Sequence, residues 1–157
     1  MKVVFIQVGK TSDRRLNDFV AEYAARVGRY VPFEIATVPD VRTTRSMSSE
    51  RQREAEGMGI KRLLRESDYV VLLDERGSER RSVEFASWLE HRLFATGRRL
   101  VFIVGGPYGF ADEFYSMAHE CISLSKMTFS HQMVRLFFVE QLYRALTILR
   151  GEPYHHE

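Results

Sequence analysis

Val101-Phe102-Ile103-Val104 runs directly into Gly105-Gly106-Pro107-Tyr108-Gly109-Phe110, so a short apolar strand is followed at once by a glycine-rich turn. A second strand at 121–124 leads in the same way into a loop of small and hydroxylated residues at 125–130. Open α/β sheets bind ligands at the carboxyl ends of their strands, where such loops meet. The two loops therefore predict one ligand site that is built mostly from backbone.

The rest of the chain alternates between strand and helix patterns. Apolar, β-rich runs predict strands at 3–8, 33–38, 69–73, 100–104 and 121–124. The segments between them predict helices at 16–27, 49–66, 83–94, 111–118 and 131–149, the last with Ser130 as its N-cap. This alternation predicts an α/β fold with a mainly parallel sheet that is covered by helices on both faces.

Size and composition predict one globular domain and argue against several classes of protein. The 157 residues carry a net charge of +2, so any nucleic-acid binding has to come from a local basic face. No apolar run approaches the ~20 residues that cross a bilayer, and no histidine or cysteine spacing suits a metal. The single Cys121 excludes an internal disulfide. Together these features predict a cytoplasmic protein with no membrane or metal partner.

The glycine-rich turn does not match the two common phosphate-binding motifs. The order G-x-G-x-x-G is missing, and no Gly-Lys-Ser/Thr follows the turn. Pro107 also removes a backbone N–H where a phosphate would need one. The turn suits the close approach of a flat, mostly uncharged group such as adenosine, and a plain strand-to-helix turn is an equal alternative.

The second loop has an unusual composition for a simple connection. Ser125 and Thr128 offer hydroxyl groups, while Met127 and Phe129 offer apolar surface for a purine. Such a loop can present backbone N–H and C=O groups to a nucleobase while its side chains exclude water. An ordinary link between a strand and a helix is the alternative.

The pattern at 131–149 is apolar on nearly every side. A helix of this kind has to be buried all round, and a chain of this size covers one side. We therefore predict a homodimer with this helix in the interface, and a central helix in a monomer is the alternative. His131 and Arg135 lie on one face at its start, where they could move a proton and hold a phosphate or base edge.

Basic residues are frequent in two segments that follow predicted strands. They are Arg42, Arg45, Arg51, Arg53, Lys61, Arg62 and Arg65 in the first, and Arg76, Arg80 and Arg81 in the second. Together they could form a partial rim that contacts phosphates. Acidic residues are interleaved with the first group, which is typical of a solvated helix face, so that alternative stays open.

Five segments of the chain form a distinctive set. They are Val104-Gly105-Gly106-Pro107, Leu124-Ser125-Lys126-Met127-Thr128-Phe129, His131-Gln132-Met133-Val134-Arg135, Glu140-Gln141-Leu142-Tyr143-Arg144-Ala145 and Gly151-Glu152-Pro153-Tyr154-His155. The set strongly resembles the RlmH family, small ribosomal RNA large-subunit methyltransferases of the SPOUT class. The resemblance covers essentially the whole chain.

The resemblance implies an α/β trefoil knot, in which the C-terminal segment is threaded through an earlier loop. The chain would be a single SPOUT methyltransferase domain over 1–157, with the knotted, cofactor-binding part at about 70–157. The cofactor would be S-adenosylmethionine, held by Leu72, Leu73, Gly105, Gly106, Ser125, Lys126, Met127, Thr128 and Phe129. The enzyme would be a homodimer with the knots at its interface.

The implied substrate is a pseudouridine in large-subunit (23S) ribosomal RNA, methylated at ring nitrogen three within the assembled ribosome. Because that nitrogen has to lose its proton, a general base or a nearby positive field is expected. The candidates are Arg135, His155, Tyr154 and His131, with Tyr154 and His155 reaching the partner subunit's pocket. Two alternatives stay open, a SPOUT methyltransferase acting on transfer RNA and a non-enzymatic nucleotide-binding assembly factor.

Overall fold

The fold is described from a computed structural model that covers residues 2–41, 46–95 and 97–157. The described residues form five strands and five helices. In chain order these are β1 (Val3–Val8), α1 (Arg14–Gly28), β2 (Phe33–Val38), α2 (Ser49–Leu63), β3 (Tyr69–Glu79), α3 (Ser82–Phe94), β4 (Leu100–Val104), α4 (Asp112–Met117), β5 (Glu120–Ser123) and α5 (Met133–Leu149).

The strands form one parallel sheet in the order β2-β1-β4-β3-β5. The unbroken apolar runs of β1 and β4 lie inside the sheet, and every residue of these two strands is buried. Continuous apolar strands are typical of a parallel sheet whose two faces are both covered. The predicted α/β fold with a mainly parallel sheet is therefore confirmed.

Helices cover both faces of the sheet, as the alternating pattern predicts. On one face, α5 packs between α1 and α3 over a core that includes Phe5, Phe102 and Phe138. On the other face, Ile60 of α2 and Phe114 of α4 join a second core. Each strand supplies both cores because successive side chains point to opposite faces. The threading of the C-terminal segment stays a prediction.

The third strand is longer than the sequence predicts. Its apolar run ends at Leu73, but β3 continues to Glu79. Leu73 and Ser78 both pair with Ile122 of β5, so the residues between them leave the ladder as a bulge. Gly77 is required there, because a Cβ atom would lie 2.6 Å from the backbone of Ile122. The bulge contains three consecutive charged residues, at 74–76.

The last helix begins at Met133, two residues later than predicted. Ser130 still caps the turn that leads into it, because its Oγ accepts the Met133 N–H at 3.0 Å and its carbonyl accepts the Val134 N–H at 3.1 Å. Most of α5 is covered by its own chain, but Met133 and Phe137 are each 41% exposed. One chain therefore leaves part of this apolar helix uncovered.

The described ranges contain no candidate membrane span and no candidate metal site. None of the helices there is long and apolar enough to cross a membrane. Nor does any group of three or more His, Cys, Asp or Glu side chains in those ranges have an arrangement that could hold a metal ion. Cys121 is a free thiol.

Candidate cofactor cleft

A cleft lies at the carboxyl ends of β3, β4 and β5. Its volume of about 430 Å³ is within the roughly 300–1,000 Å³ of small-molecule sites. Three segments form its walls: residues 73–76 of β3, residues 104–110 after β4, and parts of the segment 124–134 after β5. The bulge of β3 and the loops after β4 and β5 therefore converge on one site, and the sequence predicts the two loops.

The turn after β4 depends on glycine. Gly109 has a φ of +77°, and its N–H donates to the Gly106 carbonyl at 3.1 Å. A Cβ atom at Gly105 would lie 2.8 Å from the Gly109 carbonyl oxygen, and one at Gly106 would overlap the carboxyl group of Glu56. The turn therefore presents bare backbone to the cleft, which suits a ligand that approaches closely.

Glu56 of α2 packs behind this turn and is 3% exposed. Burial, together with the negative charge of Asp40, raises the pKa of its carboxyl group to about 7. Within the described residues, Oε1 of Glu56 has no hydrogen-bond partner. Sequence reasoning misses this residue, because the charged pattern of α2 does not distinguish it from exposed neighbours such as Glu54.

The loop before α5 is shaped by its own hydroxyl groups. The Ser123 hydroxyl donates to the Ser125 carbonyl at 2.8 Å, and the Ser125 hydroxyl oxygen accepts the Met127 N–H at 3.0 Å. The Thr128 hydroxyl donates to the Glu75 carboxylate at 2.6 Å, which joins this loop to the bulge of β3. The hydroxyl groups therefore hold the loop in place, and its remaining backbone and apolar groups can meet a ligand.

Charged side chains from the β3 bulge also line the cleft. Asp74 accepts the Arg76 backbone N–H at 2.9 Å and the Tyr115 hydroxyl at 2.6 Å. Burial and the bond to this carboxylate raise the pKa of Tyr115, so the phenol stays protonated. Sequence reasoning misses Asp74 and Glu75 as site residues, although their position directly after an apolar strand was a usable signal.

Of the four predicted catalytic residues, His131 is the one that lines the cleft. Burial lowers the pKa of its imidazole, and the positive charge of Arg135 adds to this effect. The imidazole is therefore neutral at pH 7 and can accept a proton.

Arg135 lies in the interior and does not line the cleft of its own chain, so its predicted contact with the substrate stays a prediction. The residue is 1% exposed. Its guanidinium donates to the Val8 carbonyl at 2.6 Å, to the Thr11 hydroxyl at 2.9 Å and to the His131 carbonyl at 3.1 Å. Arg135 therefore fastens the start of α5 to the end of β1, a contact that helical spacing alone could not reveal.

Tyr154 and His155 lie together beside α5, and neither lines the cleft of its own chain. The Tyr154 hydroxyl and the Arg144 guanidinium both donate to Glu140, at 2.9 Å and 2.6 Å. Arg144 also lies 3.1 Å from Nδ1 of His155. Because a guanidinium can only donate, this nitrogen accepts, and the imidazole proton is on Nε2. Burial and hydrogen bonds to Tyr23 and Glu140 raise the pKa of Tyr154.

Most of the predicted cofactor residues line the cleft, namely Leu73, Gly105, Gly106, Ser125, Met127, Thr128 and Phe129. Leu72 does not, since it is fully buried in the core on the α2 side, where alternation along β3 directs it. Lys126 does not either, because its side chain is 88% exposed and its Nζ lies 3.8 Å from Glu79. Leu72 and Lys126 therefore do not line the cleft, and their role as cofactor residues stays a prediction.

The predicted basic rim is partly neutralised. Four of its described members form ion pairs: Lys61 with Glu113 at 2.6 Å, Arg80 with Glu120 at 3.2 Å, Arg81 with Glu157 at 2.7 Å and Arg76 with Asp74 at 3.9 Å. Arg76 lines the cleft, whereas Arg42 and Arg45 lie outside the described residues. The charge available to an RNA is thus smaller than the number of basic residues suggests.

Comparison with known proteins places the chain in a family. A family model described as predicted SPOUT methyltransferase matches residues 1–155. The chain belongs to the SPOUT methyltransferases. Proteins named Ribosomal RNA large subunit methyltransferase H are 52% identical in Bacteroides fragilis and 51% identical in Phocaeicola vulgatus, over 157 residues that cover all of both chains. SPOUT methyltransferases use S-adenosylmethionine, so the predicted family, enzyme class and cofactor are confirmed.

Solved structures agree with the SPOUT fold. A probable methylase family protein from Haemophilus influenzae Rd KW20 has a TM-score of 0.53 at 10% identity, over 99% of this chain and 70% of that one. A probable methyltransferase from Bordetella pertussis Tohama I has the same TM-score at 12% identity, over 92% of this chain and 95% of that one. At these identities the likeness shows the fold alone.

Proposed function

We propose that this SPOUT methyltransferase methylates large-subunit (23S) ribosomal RNA, at ring nitrogen three of a pseudouridine in the assembled ribosome. The observation that carries the proposal is the backbone-lined cleft where β3, β4 and β5 end. The full-length relatives at 51–52% identity, named for large-subunit ribosomal RNA, support this substrate. The place of action is the cytoplasm, where ribosomes are assembled and used.

The residues of the cleft fit S-adenosylmethionine. Gly105 and Gly106 offer bare backbone to the adenosine group, and the loop at 125–129 offers N–H and C=O groups beside apolar side chains. When bound, the cofactor supplies a methyl group on a positively charged sulfur that is already a good leaving group. The protein therefore mainly has to align the two reactants and exclude water.

His131 is the residue that we assign to the proton of the ring nitrogen. That nitrogen becomes nucleophilic only after deprotonation, and a neutral imidazole at the cleft can accept the proton. The His131 carbonyl accepts from Arg135, which is itself fixed to Val8 of β1. Arg135 is therefore a positioning residue that holds the backbone of the base in place.

A second copy of the chain completes the site in this proposal. A hollow of about 230 Å³, lined in part by Phe129 and Phe137, adjoins the cleft. Phe137 and Met133 leave apolar surface on the same helix, and burial of that surface favours association. We assign this face to a homodimer interface, with Tyr154 and His155 of one copy facing the cleft of the other.

Mixing two variants tests the shared site, at an S-adenosylmethionine concentration too low to fill the impaired cleft of Gly106→Ala. His155→Ala alters the tail and leaves the cleft intact, whereas Gly106→Ala damages the cleft and leaves the tail intact. In randomly mixed dimers, one site in four combines an intact cleft with an intact tail, so methylation should return to about one quarter of the wild-type rate. Each variant alone is the control. A mixture as inactive as its components would show that both groups act in one chain.

The substrate is tested with purified protein, labelled S-adenosylmethionine and three RNA samples: ribosomes that lack the modification, free 23S RNA and transfer RNA. We expect methylation of ribosomes that lack the modification and little of free 23S RNA, because the chain has a net charge of only +2 and no separate RNA-binding domain among the described residues. Mass spectrometry should place the methyl group on nitrogen three of a pseudouridine. Preferential labelling of transfer RNA, or no labelling of any sample, would contradict the proposal.

A further inference from the structure

We infer that Asp74 is a specificity residue that makes the cleft prefer the positively charged methyl donor over its uncharged product, S-adenosylhomocysteine. The inference rests on the proposed function. The donor and the product share their adenosine and amino-acid groups and differ at sulfur, which is a sulfonium in one and a thioether in the other. A fixed negative charge in the cleft distinguishes them with no difference in shape.

Asp74 combines burial with a position in the wall of the cleft. Its side chain is 10% exposed, and it lines the cleft next to the glycine turn, where a Cβ atom on Gly109 would lie 4.0 Å from its Oδ2. A carboxylate that is shielded from water acts through a lower effective dielectric than a surface carboxylate. Its field therefore reaches a ligand in the cleft with little screening by salt.

The hydrogen-bond partners of Asp74 leave its charge uncancelled. Among the residues that the structure describes, these partners are the Arg76 backbone N–H and the Tyr115 hydroxyl, both neutral donors. In the described part of the chain, the Arg76 guanidinium forms an ion pair with Asp74, but its Nε lies 3.9 Å from Oδ1, and its side chain is 75% exposed over the Tyr115 ring. A cation so open to water compensates the carboxylate only in part.

The charged groups of the cleft sum to a negative value. The ionised residues of its wall are Asp74, Glu75 and Arg76, two negative charges and one positive, so the net charge is −1. His131 adds no charge, since its imidazole is neutral at pH 7. Glu75 contributes less than Asp74, because it is exposed to solvent and accepts a hydrogen bond from Thr128.

Methyl transfer removes the charge that Asp74 attracts. The bond between the methyl carbon and sulfur breaks, its electron pair stays on sulfur, and the methyl carbon bonds to the ring nitrogen, whose proton has gone to the base. The sulfur is then a neutral thioether, and the carboxylate no longer stabilises it. The same residue therefore favours binding before the reaction and release after it.

Calorimetric titration of the full chain tests the inference. The probes are S-adenosylmethionine, S-adenosylhomocysteine and sinefungin, in which an ammonium group replaces the sulfonium. Asp74→Asn should raise the Kd of the two cationic probes by about tenfold and that of the thioether by less than about twofold. Tyr115→Phe is the matched control, because it removes a hydrogen bond and keeps the charge, so it should leave the preference between probes unchanged.

A second variant keeps the test decisive where Asp74→Asn folds poorly. Arg76→Ala removes an exposed side chain and should raise the preference for the cationic probes by about threefold. Equal effects of Asp74→Asn on all three probes, or an unchanged preference in Arg76→Ala, would overturn the role of Asp74 alone. A wild-type protein that binds none of the probes would overturn the proposed function as well.

Discussion

Individual side chains behind the cleft determine how the glycine turn is held, and Glu56 is the clearest case. Its buried carboxyl group packs against Gly106 and has a pKa of about 7, above its ordinary value of 4.5. As the pH rises, the unfolded chain therefore loses this proton before the folded chain does. The contribution of Glu56 to the free energy of unfolding is therefore complete below about pH 4.5. It is lost progressively as the pH rises to about 7.

Glu56→Gln should abolish this pH dependence, because glutamine has a similar size and no charge. At pH 8 the variant should be more stable than the wild type by on the order of 2–3 kcal/mol, and the difference should shrink towards pH 5. Urea unfolding at pH 5, 6, 7 and 8 measures it. Glu54→Gln, at an exposed position on the same helix, is the control. A destabilised Glu56→Gln at pH 8 would refute the assignment.

Gly106→Ala should impair cofactor binding because of Glu56, a residue that packs behind the turn and does not line the cleft. The added methyl group overlaps the Glu56 carboxyl group, which is too buried to move aside freely. We expect the Kd for S-adenosylmethionine to rise at least about tenfold, with a stability loss of about 1–3 kcal/mol. Adding Glu56→Ala should recover part of the binding, because the two changes are coupled. If the effects of the two substitutions on the Kd were strictly additive, the added methyl group would not act through Glu56.

The sequence predicts the bounds of helices and strands well where a long apolar pattern exists. The predicted strands at 3–8, 33–38 and 100–104 coincide with β1, β2 and β4. The charged helix α2 ends at Leu63, three residues before its predicted end, because no apolar pattern marks its boundary. The bulge of β3 is not predictable from its own residues, since Gly77 is needed only when the backbone of β5 lies against it.

The sequence predicts the part of the candidate site that consists of loops at strand ends. Both small-residue loops line the cleft, as their order after apolar strands predicts. The acidic wall at 74–75 is missed because the bulge is missed, and Glu56 is missed because only the packing of α2 places it behind the glycine turn. Arg135 lies on the helix face that its spacing predicts. Only the tertiary structure shows that this face packs against the end of β1.

Arg135→Ala should act mainly on the attachment of α5 to β1. The change leaves oxygen atoms of Val8, Thr11 and His131 without their donor, so the free energy of unfolding should fall by about 3 kcal/mol. Urea unfolding measures this loss, and Arg15→Ala, whose side chain is 90% exposed, is the control. If the variant instead kept its full stability and lost methylation, the result would support the contact between Arg135 and the substrate that the sequence predicts.

At the scale of the whole molecule, α5 is an apolar helix that its own chain leaves partly uncovered. Phe137 and Met133 project from α5, and Phe137 packs on Phe129 of the cofactor loop with ring centroids 4.9 Å apart. A partner on this face would therefore also contact the loop that lines the cleft. Assembly and cofactor binding are coupled if the proposed interface is correct.

Phe137→Asp should convert the proposed dimer into a monomer, because burial of an unpaired carboxylate in an apolar interface costs several kcal/mol. Sedimentation velocity at micromolar concentrations measures the change. Phe94→Asp is the control, since Phe94 is 83% exposed at the end of α3. A wild-type chain that sediments as a monomer under the same conditions would contradict the interface.

The bond between Arg135 and Val8 has a consequence for how the protein is made, because its ends are 127 positions apart. The first strand leaves the translating ribosome long before α5 exists, by roughly 6–25 s at ordinary elongation speeds. During that interval the Val8 carbonyl at the end of β1 lacks its hydrogen bond from Arg135, and the third wall of the cleft has not been synthesised. A nascent chain that ends before this point therefore lacks both the Arg135 bonds and a complete cleft for the methyl donor.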